Sequence, residues 1–271
     1  MMNDIRIAAV IFRSPIDEVP ETLDRMAGYI DMANREEVEI ICFPEMGVTG
    51  YGIRKSIRKS ARPLTGSIPE ALKEMAKQGK MVILAGMAEK GENDAIHASH
   101  LVVPPQGKTR VYRKLHIAPP EKEIYTTGNK IPVFDISGIR FGIQLCYDTH
   151  FPDLSTTMAL KGADVLFFPH ASPRGTPIQK FNSWMRHLPA RAYDNGVFVV
   201  ACNAVGKNEE GLTFPGIAVI IGPDGKVIAK KASTREEILI ATLKKSDLIS
   251  VRKNRMAYFL PNRRPELYRT C

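Results

Sequence analysis

Glu39-Ile-Ile-Cys-Phe-Pro-Glu45 and Asp164-Val-Leu-Phe-Phe-Pro-His170 follow one pattern: an acidic residue, four apolar residues, a proline and a polar residue. A run this short and this apolar, stopped by proline, reads as a buried strand. The surroundings repeat as well. Ile5 to Phe12 precedes the first copy, and Ile139-Arg-Phe-Gly-Ile-Gln-Leu-Cys146 precedes the second. Met81-Val-Ile-Leu-Ala-Gly86 follows the first copy, and Val197-Phe-Val-Val-Ala-Cys202 the second. Val102 to Lys108 and Val219 to Lys226 come next, and both turn through Pro-x-Gly-Lys. Four matches in one order indicate an internal duplication. Helical spacing over 16–36 and 68–78 makes each half a β-α-β-α-β-β unit. Strands apolar on both faces need cover on both sides, so the expected fold is α/β: two facing mixed sheets, helices outside, and internal pseudo-twofold symmetry. No Pro/Gly/Ser-rich linker separates the halves, so residues 1–271 read as one domain. Its tail, from about residue 250, mixes apolar and basic residues and is expected to pack on the protein or on a partner subunit.

Composition narrows the function. Of 271 residues 44% are hydrophobic and 25% charged, which excludes disordered, collagenous and low-complexity classes. No apolar run reaches the ~18–20 residues of a membrane helix. The N-terminus runs directly into a first strand and reads as neither a signal nor a transit peptide. Cys42, Cys146, Cys202 and Cys271 are irregularly spaced without C-x-x-C, against both a disulfide framework and a zinc site, and a reducing cytoplasm is expected. The net charge is +9. Arg54, Lys55, Arg58, Lys59 and Arg62 would share a helix face, but no aromatic residue is interleaved to stack on bases. A solvated face is expected there, not a nucleic-acid site. No P-loop, dinucleotide fingerprint, G-x-S-x-G elbow or metal cluster is present, so no cofactor and no metal are expected.

In α/β sheets reactive groups collect beyond the carboxyl ends of strands. Glu45, Lys114 and Cys146 are the polar residues that end apolar runs there. Cys146 lies at a strand-to-helix turn, with Pro152 a suitable first helical residue, and a helix dipole at that turn would favour thiolate. The alternative for Cys146 is a buried structural thiol, the reading preferred for Cys42 and Cys202 inside apolar runs. Cys271 reads as a frayed terminal thiol. A thiol nucleophile needs a base and an oxyanion stabiliser, which a Glu and a Lys can supply.

Phe43-Pro-Glu45 with Gly47 and Gly50-Tyr51, then Tyr112-Arg-Lys114-Leu-His116, then Gly142-Ile-Gln-Leu-Cys146-Tyr-Asp148, resemble the three signature segments of the nitrilase superfamily of carbon–nitrogen hydrolases. Arg191-Ala-Tyr-Asp-Asn195, Phe214-Pro-Gly216 and Arg264-Pro-Glu-Leu-Tyr268 extend the resemblance along the chain, with Asp194 where the family usually has Glu. The resemblance implies a four-layer αββα sandwich and a thiol-dependent hydrolase. Cys146 would be the nucleophile, Glu45 the general base and acid, and Lys114 the oxyanion stabiliser, assisted by the backbone N–H of Tyr147. A second glutamate would be Glu121, with Glu123 as competitor. Tyr147, where nitrile-cleaving relatives usually have Trp, resembles the amidase branches. Thr149 and His150 stand where carbamoylase relatives carry an Arg pair. His170 ends the strand that mirrors the Glu45 strand, so it either faces the substrate or is a hydrogen-bonded structural histidine; Arg174 reads as a surface residue. The expected activity is hydrolysis of a small aliphatic amide through a Cys thioester, with an N-carbamoyl amine or amino acid as the alternative substrate and a nitrile less favoured. A homodimer or larger homo-oligomer is also expected.

Overall fold

The computed structural model describes residues 3–267 except residue 137. The first half supplies β1 (Ile5–Ile11), β2 (Ile40–Cys42), β3 (Val82–Lys90), β4 (Ile96–Val103) and β5 (Arg110–Arg113). A short β6 (Phe134–Ile136) leads into β7 (Ile139–Ile143), β8 (Val165–His170) and β9 (Phe198–Asn203). After a small hairpin, β10 (Gly206–Lys207) and β11 (Thr213–Phe214), come β12 (Gly216–Ile221), β13 (Val227–Ser233) and β14 (Glu237–Leu243).

Two six-stranded mixed sheets result, ordered β14-β1-β2-β3-β4-β5 and β13-β12-β9-β8-β7-β6. In each, three parallel strands carry antiparallel strands at both ends. The duplication is exact in topology: β7, β8, β9, β12 and β13 repeat β1 to β5. Two further strands, β6 and β14, were not legible as part of the repeat. Each follows one half but pairs with the first strand of the other: β6 with β7, and β14 with β1, where Ile5 faces Leu243. The halves therefore exchange edge strands.

Alternation along β1 explains why its sequence is apolar throughout. Ile7, Ala9 and Ile11 point into the core between the sheets. Ala8, Val10 and Phe12 point the other way, onto α1 (Val19–Arg35) and α3 (Ser67–Gly79). Helix α1 begins with Pro20 in its first turn and buries Thr22, Met26, Ile30 and Ala33, the spacing of one helical face. Full burial of such an apolar side chain contributes roughly 1.5–3 kcal/mol. On the second sheet, α4 (Pro152–Leu160), α5 (Pro177–Trp184) and α6 (Leu188–Tyr193) play this part through Met158, Trp184 and Leu188. The layers are thus helix, sheet, sheet, helix, as expected. Across the sheet–sheet interface the Cys42 and Cys202 sulfurs lie 4.0 Å apart, both fully buried.

The basic stretch does not form the expected helix face. Helix α2 (Ile57–Ser60) is a single turn; Arg62 lies beyond it, where its backbone bridges to Glu89 and its side chain pairs with Asp17. The tail begins with α7 (Lys245–Lys253), which docks on its own chain: Arg252 donates to Asp164 Oδ1 at 2.5 Å and to Gly196 O at 3.2 Å. Cys271 and Tyr268 lie outside the described residues. Among the described residues no helix is long and apolar enough to cross a membrane.

Candidate active site

Past β2 the chain turns back through Met46, whose φ is +58°, and lays Glu45 against β3. Only glycine fits beneath that turn. A Cβ on Gly86 would lie 2.4 Å from Met46 N and 3.1 Å from the Glu45 carbonyl carbon. Glu45 is 1% exposed.

Lys114 directly follows β5, its backbone N–H held by Ala98 O at 2.9 Å. Its ammonium, equally sealed, donates to Glu45 Oε1 at 2.9 Å and to both Glu121 oxygens at 2.9 and 3.0 Å. Glu121 closes a 3-10 turn, Pro119–Glu121, where the paired prolines fix the backbone. Its carboxylate also accepts from the Ala118 N–H at 3.0 Å and the Tyr51 hydroxyl at 2.7 Å. These partners satisfy Glu121 in a buried position, while Glu123, its competitor in the sequence, is exposed. The second sheet closes the cluster from the other side. Ala171, next after β8, donates its N–H to Glu45 Oε2 at 3.1 Å.

Cys146 opens a 3-10 turn, Cys146–His150, after β7, and α4 begins at Pro152 as expected. Its φ is +43°, a strained value for a residue with a side chain. Asp148 holds the turn in place. It accepts from the Leu145 N–H at 2.9 Å, the His116 N–H at 2.8 Å and the Tyr112 hydroxyl at 2.7 Å, tying the Cys146 turn to the strand that carries Lys114. Cys146 is partly exposed, unlike Cys42 and Cys202.

The electrostatics follow from burial. Loss of solvent pushes Glu45 up to about 7; Lys114 opposes this and Glu121 adds to it. Burial pulls Lys114 down, but Glu45 and Glu121 outweigh it, and the ammonium ends well above its ordinary value. Cys146 is raised, by burial first and then by Glu45, with Lys114 opposing. Burial thus works against the thiolate that a helix dipole at this turn would favour.

Tyr147 turns its ring toward His150 and Phe151, with centroids 5.7 and 5.5 Å away. His170 is buried, its Nδ1 2.7 Å from Phe168 O and its ring 4.4 Å from that of Trp184. Burial holds its pKa well below the ordinary value, so it is neutral. Arg174 is exposed. Among the described residues no group of three or more His, Cys, Asp or Glu side chains is placed to hold a metal. Tyr51 and Asp148 lay inside the signature segments without an assigned part. Lys180, half-buried near the site, gave no sequence signal, because a lysine on a helix ordinarily reads as solvated.

Known proteins resemble this chain over nearly its whole length. The family model described as carbon–nitrogen hydrolase matches residues 6–253. A probable nitrilase of Schizosaccharomyces pombe is 31% identical, covering 97% of each chain. An N-carbamoylputrescine amidase of Solanum lycopersicum is 30% identical, over 98% of this chain and 94% of the relative. The fold matches a crystal structure of a carbon–nitrogen hydrolase superfamily protein from Xanthomonas campestris with a TM-score of 0.87. That match has 20% identity and covers 97% of this chain and 98% of the other.

Proposed function

The chain belongs to the carbon–nitrogen hydrolase family of the nitrilase superfamily, and on that premise we propose that it hydrolyses a small aliphatic amide through a thioester on Cys146. The observation that carries this reading is the buried ammonium of Lys114 held between Glu45 and Glu121, beside the turn of Cys146.

Glu45 takes the Cys146 proton as the sulfur attacks the amide carbonyl carbon. Its pKa near 7 lets it accept that proton and return it at neutral pH. The carbonyl π electrons move to oxygen, where Lys114 and the Tyr147 N–H offset the developing charge. As the tetrahedral intermediate collapses, the C–N bond breaks, Glu45 protonates the leaving nitrogen, and ammonia departs. Glu45 then removes a proton from water, whose oxygen attacks the thioester. The carboxylic acid leaves, and the proton returns to the Cys146 sulfur. Glu121 keeps Lys114 charged and aimed. His170 and Tyr147 border the substrate in this reading. Positioned acid–base help of this kind contributes typically ~10²–10⁴-fold.

An N-carbamoyl compound is the second reading, favoured by the likeness to the tomato amidase. Ammonia release measured over aliphatic amides, N-carbamoyl amines and nitriles distinguishes these substrates. Cys146→Ala is expected to abolish release and the acyl-enzyme mass increment, while Cys42→Ala and Cys202→Ala retain turnover. Substantial release by Cys146→Ala overturns the thiol mechanism.

A further inference from the structure

Thr149 sits inside the Cys146–His150 turn and is 1% exposed. Its hydroxyl oxygen lies 2.7 Å from Cys146 O and 3.3 Å from His187 Nε2. The shorter contact takes the hydroxyl proton, so Thr149 donates to the Cys146 carbonyl. The Thr149 carbonyl in turn accepts from Arg191 Nε at 3.0 Å. Arg191 belongs to α6 and His187 directly precedes that helix, so α6 braces Thr149 from behind. Asp148 fixes the same turn at its start, through the Leu145 N–H.

The carbonyl of Cys146 and the N–H of Tyr147 belong to one planar trans peptide unit and point in opposite directions. Whatever pins the oxygen therefore also aims the N–H. The Asp148 N–H is taken by Leu145 O at 2.9 Å, whereas among the described residues no acceptor meets the Tyr147 N–H. That donor is left for a ligand. Cys146, at a φ of +43°, has a backbone that residues with side chains rarely adopt, so the turn keeps its shape only while its contacts fix it. Without the Thr149 hydroxyl, rotation about the bonds on either side of the peptide unit swings its oxygen and its N–H together.

We propose that Thr149 is a positioning residue for the chemistry at Cys146: its hydroxyl holds the Cys146–Tyr147 peptide so that the Tyr147 N–H meets the oxyanion. This rests on the thiol mechanism above, and two reagents separate them. With p-nitrophenyl acetate the sulfur bonds to the carbonyl carbon, an oxyanion forms, and p-nitrophenolate leaves as it collapses. Iodoacetamide alkylates the same sulfur by displacing iodide from a saturated carbon, with no oxyanion. Both rates are read as the difference from Cys146→Ala, and kcat/KM for p-nitrophenolate release reports acylation. Thr149→Val is isosteric but lacks the hydroxyl. It is expected to lower that kcat/KM at least ~10-fold, part of the ~10²–10³ that loss of an oxyanion donor costs, and to leave alkylation within about twofold. Thr149→Ser is expected to keep most of the acylation rate, and Thr149→Ala supplies a second hydroxyl-free chain should the valine variant fold poorly. Acylation unchanged in the hydroxyl-free chains, or acylation and alkylation falling together, overturns the proposal and leaves the thiol mechanism standing. A native protein without Cys146-dependent p-nitrophenolate release overturns both.

Discussion

In the proposed mechanism Glu45 must act as a base while touching an ammonium, and burial is what makes that workable. A carboxylate in contact with Lys114 in water would be held low; here loss of solvent outweighs that attraction, and Glu121 adds to the upward push. The acid limb of kcat/KM against pH is therefore expected to be centred near 7, not near the ordinary glutamate value of 4.5. A steady-state pH profile with a primary amide checks this, and a limb near 4.5 refutes it. The sign for stability is opposite. Between the two values the folded chain keeps a proton that the unfolded chain has lost, so this group's contribution to stability falls as pH rises toward 7. Cys146 adds a second tension at this scale, since its φ of +43° sets backbone strain on the proposed nucleophile itself.

Among the elements, the turn Pro119–Glu121 shows how much three residues can decide. Its carboxylate joins Lys114, Tyr51 and the Ala118 N–H, so Glu121→Gln disturbs a sealed network and not a solvated loop. The substitution is expected to lower kcat/KM roughly 10²-fold, on the scale of losing a positioned catalytic group, and to lower Tm by several degrees. Exposed Glu123→Gln should leave both near native values. Kinetics run beside thermal unfolding separate the outcomes: a fall in Tm with kcat/KM intact makes Glu121 purely structural. The parallel strands were legible because central strands carry their apolar signature within themselves, as Ile40–Cys42 and Val165–His170 do. Phe134–Ile136 and Glu237–Leu243 were not, because an edge strand is defined by a partner elsewhere in the chain. Glu45, Lys114 and Cys146 were likewise legible from their places at strand ends. The Ala171 N–H was not, since a backbone donor leaves no mark on residue type.

For the molecule as a whole, apolar side chains remain uncovered around the last helix. Tyr193 and Phe259 pack edge to face at the surface with centroids 5.4 Å apart, and Met256 nearby in sequence is 85% exposed. Leu267 in the tail is exposed as well, and association covers side chains of this kind. A homodimer or larger assembly is expected at micromolar concentration in sedimentation velocity, and a lone monomer-sized boundary counts against it.

The exchange of edge strands bears on how the chain can come into being. Among the described strands β1 is made first, yet the strand that covers its outer edge, Glu237–Leu243, is made last. The edge of β1 therefore keeps one row of backbone N–H and C=O groups unpaired until Leu243 has been made. The second sheet has no such delay, because β6 and β7 are neighbours in sequence and can pair as soon as both are made. A chain cut short ahead of Glu237 would therefore leave the outer edge of β1 bare.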